Sequence, residues 1–286
     1  VKLLVIGRTG QVATALRSAV PHGVDCRFLG RDELDLARPQ DVAACITDGD
    51  HDAVVNLAAY TAVDRAQDEA KTASLVNCVS VGAMADACRA MAIPLVHLST
   101  DYVFAGGGTA AHRPDDPTGP LGVYGETKLA GELRIRQSGA RHAILRTSWV
   151  FSATGANFPT TMLRLGAERS SLNVVADQIG GPTPASALAG AVVTIARDLI
   201  GGHPGGTYHL SGTPDVSWAD FARAIFRTAG LDCAVRDIAT SDYPTTAARP
   251  RNSRLDCSAT VRDFAIPRPD WQAALTELVS RKESAT

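Results

Sequence analysis

A doubly wound α/β fold is what this sequence predicts: a parallel sheet with helices on both faces, followed by a smaller, irregular α/β region. Three observations predict it. Short apolar runs such as "KLLVIG" and "DAVVNLAA" alternate with stretches of helical periodicity over roughly the first 150 residues. Strands that are apolar on both sides belong to a sheet buried on both sides. A glycine-rich turn follows the first run directly, and beyond about residue 150 the alternation loosens into Gly/Pro stretches such as "DQIGGPTPAS" and "GGHPGG".

The elements follow in order. "KLLVIG" is the first strand and "GQVATALRSAV" the first helix; "VDCRFLG" is the second strand and "PQDVAACITD" the second helix. "DAVVNLAA" is the third strand, and residues 71–91 carry apolar positions three and four apart, the spacing of a helix face. "PLVHLS" is the fourth strand, 121–138 a long helix, and "HAILRTSWVF" the fifth strand. Later helices are expected near 157–169, 185–198 and 217–229. The expected division is a first unit over 1–148, with later segments returning to it, and a second region over 149–286. There are no internal repeats, low-complexity segments or long linkers.

Composition narrows the function. The chain has 286 residues, 45% apolar and 20% charged, with a net charge of −2. That balance is ordinary for a globular protein and argues against a nucleic-acid surface or a polybasic membrane surface. No apolar run reaches transmembrane length. The start at "VKLLVIG" carries no charged leader, and the six Cys form no C-x-x-C pair. Both features suggest a cytoplasmic protein with reduced thiols.

The glycine turn is "GRTGQVA", Gly7 to Ala13, between the first strand and the first helix. Gly7 permits the tight turn, and Gly10 lets a phosphate approach the backbone at the helix N-terminus. Thr9, Gln11 and Val12 share this turn as candidate cofactor contacts. The third position of the G-x-x-G-x-x-G spacing is Ala13, the smallest departure from Gly. A turn of this kind without a ligand is the plain alternative, but its place after strand one favours a Rossmann dinucleotide site. At the end of strand two, "FLGRDELDL" sets Arg31 beside Asp32. Arg favours a 2′-phosphate and hence NADPH, whereas an acid favours the ribose hydroxyls of NADH. Arg31 tips the reading to NADPH, with NADH use left open. Asp35 and Leu36 are placed to meet the adenine.

The stretch "VYGETKLAGE" sets Tyr124 four residues before Lys128, in a chain with 24 Arg and only 4 Lys. Chance placement of these Tyr and Lys would give under about a tenth of such a pair. Four residues apart on a helix is one face. A free Tyr has a pKa near ~10, and a nearby ammonium would favour the phenolate and make Tyr124 a better general acid. A compact ammonium can also bond ribose hydroxyls, a double task that the rigid Arg fork fits poorly. At the end of strand four, in "HLSTDYVF", Ser99 or Thr100 is placed to hold a substrate carbonyl against Tyr124.

With those residues in view, the chain resembles the dTDP-4-dehydrorhamnose reductases, members of the extended short-chain dehydrogenase/reductase superfamily. "GRTGQVA", "VVNLAAYTAVDRAQDE", "LSTDYVF", "VYGETKLAGE", "LRTSWVF", "DQIGGPT" and "RPRNSRLD" occur in that family's order, from residue 1 to about 280. The resemblance implies reduction of the C4 ketone of dTDP-6-deoxy-L-lyxo-4-hexulose by NAD(P)H. It implies Thr100, Tyr124 and Lys128 as the catalytic triad. Asn77 matches a position that often completes a proton relay, with a plain helix-interior hydrogen bond as the alternative. Ala58, Ala59 and Tyr60 would pass beneath the cofactor. Thr61, Val63, Asp101, Tyr102 and Trp149 resemble sugar-side contacts, Trp149 having a core role as its alternative. Asn157, Arg249 and Asn252 are candidates for the nucleotide-diphosphate end. Some family members dimerise through a metal held by carboxylates, one of them in the first helix. "GQVATALRSAV" has none, so no metal is expected, and the chain is expected to be a monomer or a homodimer. Other readings remain: a different nucleotide-deoxysugar 4-ketoreductase, or a non-catalytic NADP-binding regulatory subunit like that of methionine adenosyltransferase. A nucleotide-sugar epimerase or dehydratase is disfavoured, because a 4,6-dehydratase places Glu where Tyr102 stands.

Overall fold

In the computed structural model, which describes residues 1–283, six parallel strands form one sheet. They are β1 (Lys2–Ile6), β2 (Asp25–Leu29), β3 (Ala53–Asn56), β4 (Leu95–Thr100), β5 (His142–Thr147) and β6 (Gly205–His209), in spatial order β2-β1-β3-β4-β5-β6. The chain leaves β1 for β2 on one side and returns to β3 on the other. That reversal opens a crevice at the carboxyl ends of β1 and β3, where ligands bind in open α/β sheets.

Alternation along the strands divides the core. Leu3, Val5, Val55, Val96 and Leu145 point to one face and meet the helices Gln11–Ser18 and Ala185–Ile200. Leu4, Ile6, Val54, Leu95 and Ile144 point to the other face and meet Pro39–Thr47, Ser80–Ala90 and Val123–Ser138. Both faces are covered by helices, which is why these strands read as mainly apolar runs. A third core joins Met162, Leu172, Phe221, Ile225, Trp271 and Leu275 from later helices and the strand pair Ser171–Val175 with Ala234–Ile238. The helix Ala185–Ile200 and β6 therefore lie on the first sheet, although they follow residue 149 in sequence.

The expected helices are present, with three differences. The helical stretch Ala70–Ala90 contains a π-helical turn at Leu75–Val79. "HAILRTSWVF" is two strands, β5 and Val150–Phe151, because Trp149 between them stands at φ +50° and turns the chain. Sequence reading also missed β6, whose opening glycines resemble a loop. Gly205 lies at φ +82°, and a side chain there would collide with the His142 carbonyl of β5. The glycines of "GGHPGG" thus permit strand pairing instead of preventing it. Among the described residues, no helix is long and apolar enough to cross a membrane.

Candidate active site

The crevice is a cleft of about 750 Å³ at the ends of β1, β2 and β3. Gly7 sits at φ +115°, where a Cβ would stand 3.2 Å from the Ala58 amide nitrogen, and Gly10 has no atom within 4 Å of a built Cβ. An open approach to the backbone beside a helix start fits a pyrophosphate. Thr9, Arg31, Asp35 and Leu36 line this cleft, as do Ala58, Ala59, Tyr60 and Thr61. Val12 does not: its side chain is buried in the first core. Gln11 turns to the later half, bonding the Val150 carbonyl at 3.3 Å and the Ser152 hydroxyl at 2.9 Å. Arg8 is neutralised by Asp32 at 2.6 Å and Glu33 at 2.5 Å. Arg31 is 82% exposed, with only a 3.6 Å contact to Asp35.

The second part of the site lies where β4 ends beside the helix Val123–Ser138. Gly125 lets that helix close on the loop after β4, since a Cβ there would strike the Tyr102 carbonyl. Thr100 Oγ1 accepts from the Tyr102 amide at 3.2 Å and donates to Asp101 Oδ1 at 3.2 Å. Tyr102 packs edge-on against Tyr124, with ring centroids 5.5 Å apart. The Tyr124 hydroxyl is pushed up to about 12, chiefly by burial; a hydrogen bond with Thr100 pulls the other way, and the Asp101 carboxylate adds to the rise.

This differs from the expectation that the Lys128 ammonium lowers the Tyr124 pKa. Lys128 Nζ lies 2.7 Å from the Leu98 carbonyl and 3.1 Å from His97 Nε2. Burial brings Lys128 itself down to about 8, with Glu132 opposing. Glu132 is fully buried. Burial works to raise its pKa, but the Arg146 guanidinium, the Ser99 hydroxyl and Arg136 hold it below the ordinary carboxylate range. Arg146 grips it bidentately at 2.7 and 2.9 Å.

Several sequence candidates have other duties. Ser99 Oγ donates to Glu132 at 2.6 Å, turned from the substrate side because neighbours on a strand point to opposite faces. Asn77, in the π turn, accepts from the Tyr60 amide at 2.8 Å and donates to the Tyr60 carbonyl and Thr127 Oγ1. Its carboxamide ties the cleft floor to the Tyr124 helix, the plain alternative to a relay. Asn157 caps the helix Phe158–Glu168, accepting from the Thr160 amide at 3.1 Å, and donates to the Ser152 carbonyl at 2.8 Å. Asn252 is buried and latches the Gly107 and Ala110 carbonyls. Arg249 pairs with Asp64 at 2.6 Å. Val63 is half-buried. The late segment does reach the site through Ser253, which follows Asn252 and lies beside the Asp101 carboxyl.

Asp101 yields a pH prediction. Burial lifts its carboxyl to about 6 against the Ser253 and Thr100 hydrogen bonds. A raised folded-state pKa means stability that is complete below the ordinary value near ~4 and is lost as pH rises through about 6. Asp101→Asn should recover about 2–3 kcal/mol above that window and flatten the dependence. Melting curves from pH 4 to pH 8 check this; parallel curves for the two proteins would contradict it.

Trp149 is half-buried and stacks on Trp218, ring centroids 3.5 Å apart and 11° from parallel. It is neither a sealed core residue nor a free platform. Trp149→Ala is expected to raise KM for the sugar nucleotide, leave NADPH affinity unchanged, and cost about 1 kcal/mol of stacking. Steady-state kinetics beside thermal melting would test it; a large melting loss with unchanged KM removes Trp149 from the substrate side.

Sequence reasoning missed Asn56, His97, Glu132, Arg146 and Ser253. The legible signal was polarity inside apolar strands: Asn56 in "DAVVNLAA", His97 in "PLVHLS" and Arg146 in "HAILRTSWVF".

The crevice, the strand-end threonine and the Tyr/Lys helix define a nicotinamide-dependent oxidoreductase of the extended short-chain dehydrogenase/reductase type. The chain belongs to the family described as the RmlD substrate binding domain, whose family model matches residues 1–284. It is 44% identical over 285 residues to a dTDP-4-dehydrorhamnose reductase of Sinorhizobium fredii, covering 97% of this chain and 96% of that protein. Its fold superposes on the dTDP-4-dehydrorhamnose reductase of Clostridium acetobutylicum with a TM-score of 0.93 at 30% identity, covering 99% of this chain and 100% of that one. The corresponding protein of Bacillus anthracis, solved in complex with NADP, gives 0.90 at 31% identity, covering 98% and 99%.

Proposed function

We propose that this protein reduces the C4 ketone of dTDP-4-dehydrorhamnose to give dTDP-L-rhamnose, with NADPH as the reductant. The full-length likeness to named reductases supports the substrate. The observation that carries the chemistry is Thr100 set against Tyr124, at the strand end next to the dinucleotide cleft.

When bound in the cleft, NADPH supplies the hydride that goes to sugar C4. The cradle of Gly7 and Gly10 and the small side chains of Ala58 and Ala59 would hold it, with Arg31 as the exposed cation for a 2′-phosphate. With its hydroxyl turned from Asp101, Thr100 donates with Tyr124 to the ketone oxygen, where negative charge develops, and Tyr124 gives up its proton to that oxygen. Its high pKa keeps Tyr124 protonated at neutral pH, as an acid must be. Lys128, as an ammonium, steadies the phenolate left behind. The region after residue 149 supplies the sugar-nucleotide side, with Trp149 against the sugar.

The test is incubation of the purified protein with dTDP-6-deoxy-L-lyxo-4-hexulose and NADPH. Loss of NADPH absorbance and dTDP-L-rhamnose by NMR are expected. A different epimer would indicate another deoxysugar ketoreductase, and cofactor binding without turnover a regulatory subunit. Among the described residues no group of three or more His, Cys, Asp or Glu is placed to hold a metal. EDTA is expected to leave the rate unchanged; loss of rate restored by Mg²⁺ would contradict this.

A further inference from the structure

Behind Lys128 runs a buried chain of hydrogen bonds that the reaction above does not use. Asn56 and His97 are wholly buried, and Lys128 is 2% exposed. The Ala58 amide donates to Asn56 Oδ1 at 3.1 Å. That backbone N–H fixes the carboxamide's orientation, because a flipped Asn56 would set two donors against each other. Asn56 Nδ2 therefore donates to His97 Nδ1, 3.0 Å away. A ring that accepts at Nδ1 and is neutral carries its proton on Nε2. Nε2–H then points at Lys128 Nζ, 3.1 Å away. An ammonium has no lone pair to accept that proton.

We infer that His97, held as the Nε2–H tautomer by Asn56, is a positioning residue that sets the charge of Lys128: it bonds the free amine and opposes the ammonium. Parked on His97, Lys128 is an amine that accepts from Nε2–H and donates to the Leu98 carbonyl. As an ammonium it leaves one proton too many in the chain, at either Nε2 or Nδ1. Such an unpaired buried donor is costly. The surroundings agree. Burial holds His97 well below its ordinary value, with Lys128 and His142 of β5 adding to the fall. Of the groups around Lys128, Glu132, one turn along the helix, favours the ammonium, but Arg146 of β5 and Arg136 already pair with it. Tyr124 lies one turn the other way, near Asp101. The inference deepens the proposed role of Lys128. The ammonium that steadies the phenolate is the state His97 disfavours, so the alkaline limb of activity follows Lys128.

The experiment uses ligand-free protein, so a wrong substrate assignment cannot alter it. Only four lysines are present, and 15N labelling at Nζ resolves them. The probes are the His97 ring tautomer and the Lys128 Nζ titration, both by NMR. The wild type is expected to show Nε2–H on His97 and a Lys128 midpoint at least about one pH unit below the other three lysines. Asn56→Asp, whose carboxylate accepts from both Ala58 and the ring, should move the ring proton to Nδ1. It should also raise the Lys128 midpoint by about one unit or more. An Nδ1–H tautomer in the wild type overturns the inference without any variant, even if Asn56→Asp fails to fold. So does a folded Asn56→Asp protein with an unmoved Lys128 midpoint. A carboxylate at position 56 also favours the ammonium by its charge, so the same substitution is read in a His97→Gln background, where the Lys128 midpoint should rise less; an equal rise assigns the shift to charge alone and overturns the inference.

Discussion

Tyr124→Phe is expected to lower kcat by at least ~100-fold, the usual weight of a general acid. The ring should stay where it is. Its edge-on contact with Tyr102 needs no hydroxyl, and the fold loses one hydroxyl beside Thr100. NADPH affinity and melting temperature should remain near wild type, so the loss falls on the chemical step. The lost hydroxyl is pushed up to about 12 in the ligand-free protein, chiefly by burial. In the proposed reaction it would release its proton only when a stronger base, the developing alkoxide, is made beside it. Stopped-flow turnover with cofactor titration separates the two effects. A Phe variant of nearly full kcat would end the assignment of Tyr124 as the acid.

Lys128→Arg should cost as much, although charge is conserved. Lys128 is 2% exposed and confined between the Leu98 carbonyl and His97. A guanidinium is larger and planar, and it cannot accept from a ring N–H or give up its proton at any working pH. Overfilling such a site costs about 1–3 kcal/mol, and kcat is expected to fall at least ~100-fold as the phenolate loses its support. The activity profile should move toward higher pH for the same reason. Kinetics across pH, beside a melting curve, check this. An Arg variant with wild-type kcat and an unmoved profile would show that no compact ammonium is needed at this position.

The two variants also mark how far the sequence can be read. The placement of Tyr124 and Lys128 on one helix and of Gly7 and Gly10 at one turn was legible because the signal is local: a spacing on one helix, a turn after one strand. Ser99 was misassigned because a strand-end Ser-Thr pair does not announce which member faces the ligand; the Glu132–Arg146 pair across the helix–sheet interface decides that. Asn157 and Asn252 are of the right type for ligand contacts, yet one caps a helix and the other latches a loop. Both partners are backbone groups placed by the fold, and no residue pattern names them.

By itself the sequence determined the parallel sheet, the glycine cradle and the Tyr/Lys face. Each follows from residue chemistry repeated over a few positions: apolar runs demand a sheet buried on both sides, and four residues make one turn. Only the tertiary structure decided the rest. It set β6 beside β5 through glycines that resemble a loop, and it placed Ser253 against Asp101. It also put His97 and Asn56 behind Lys128. Those contacts join residues 40 or more positions apart, or 31 apart across two elements. A proton's place in such a chain depends on which donors and acceptors meet after packing, and that is a property of the assembled core, not of any one segment.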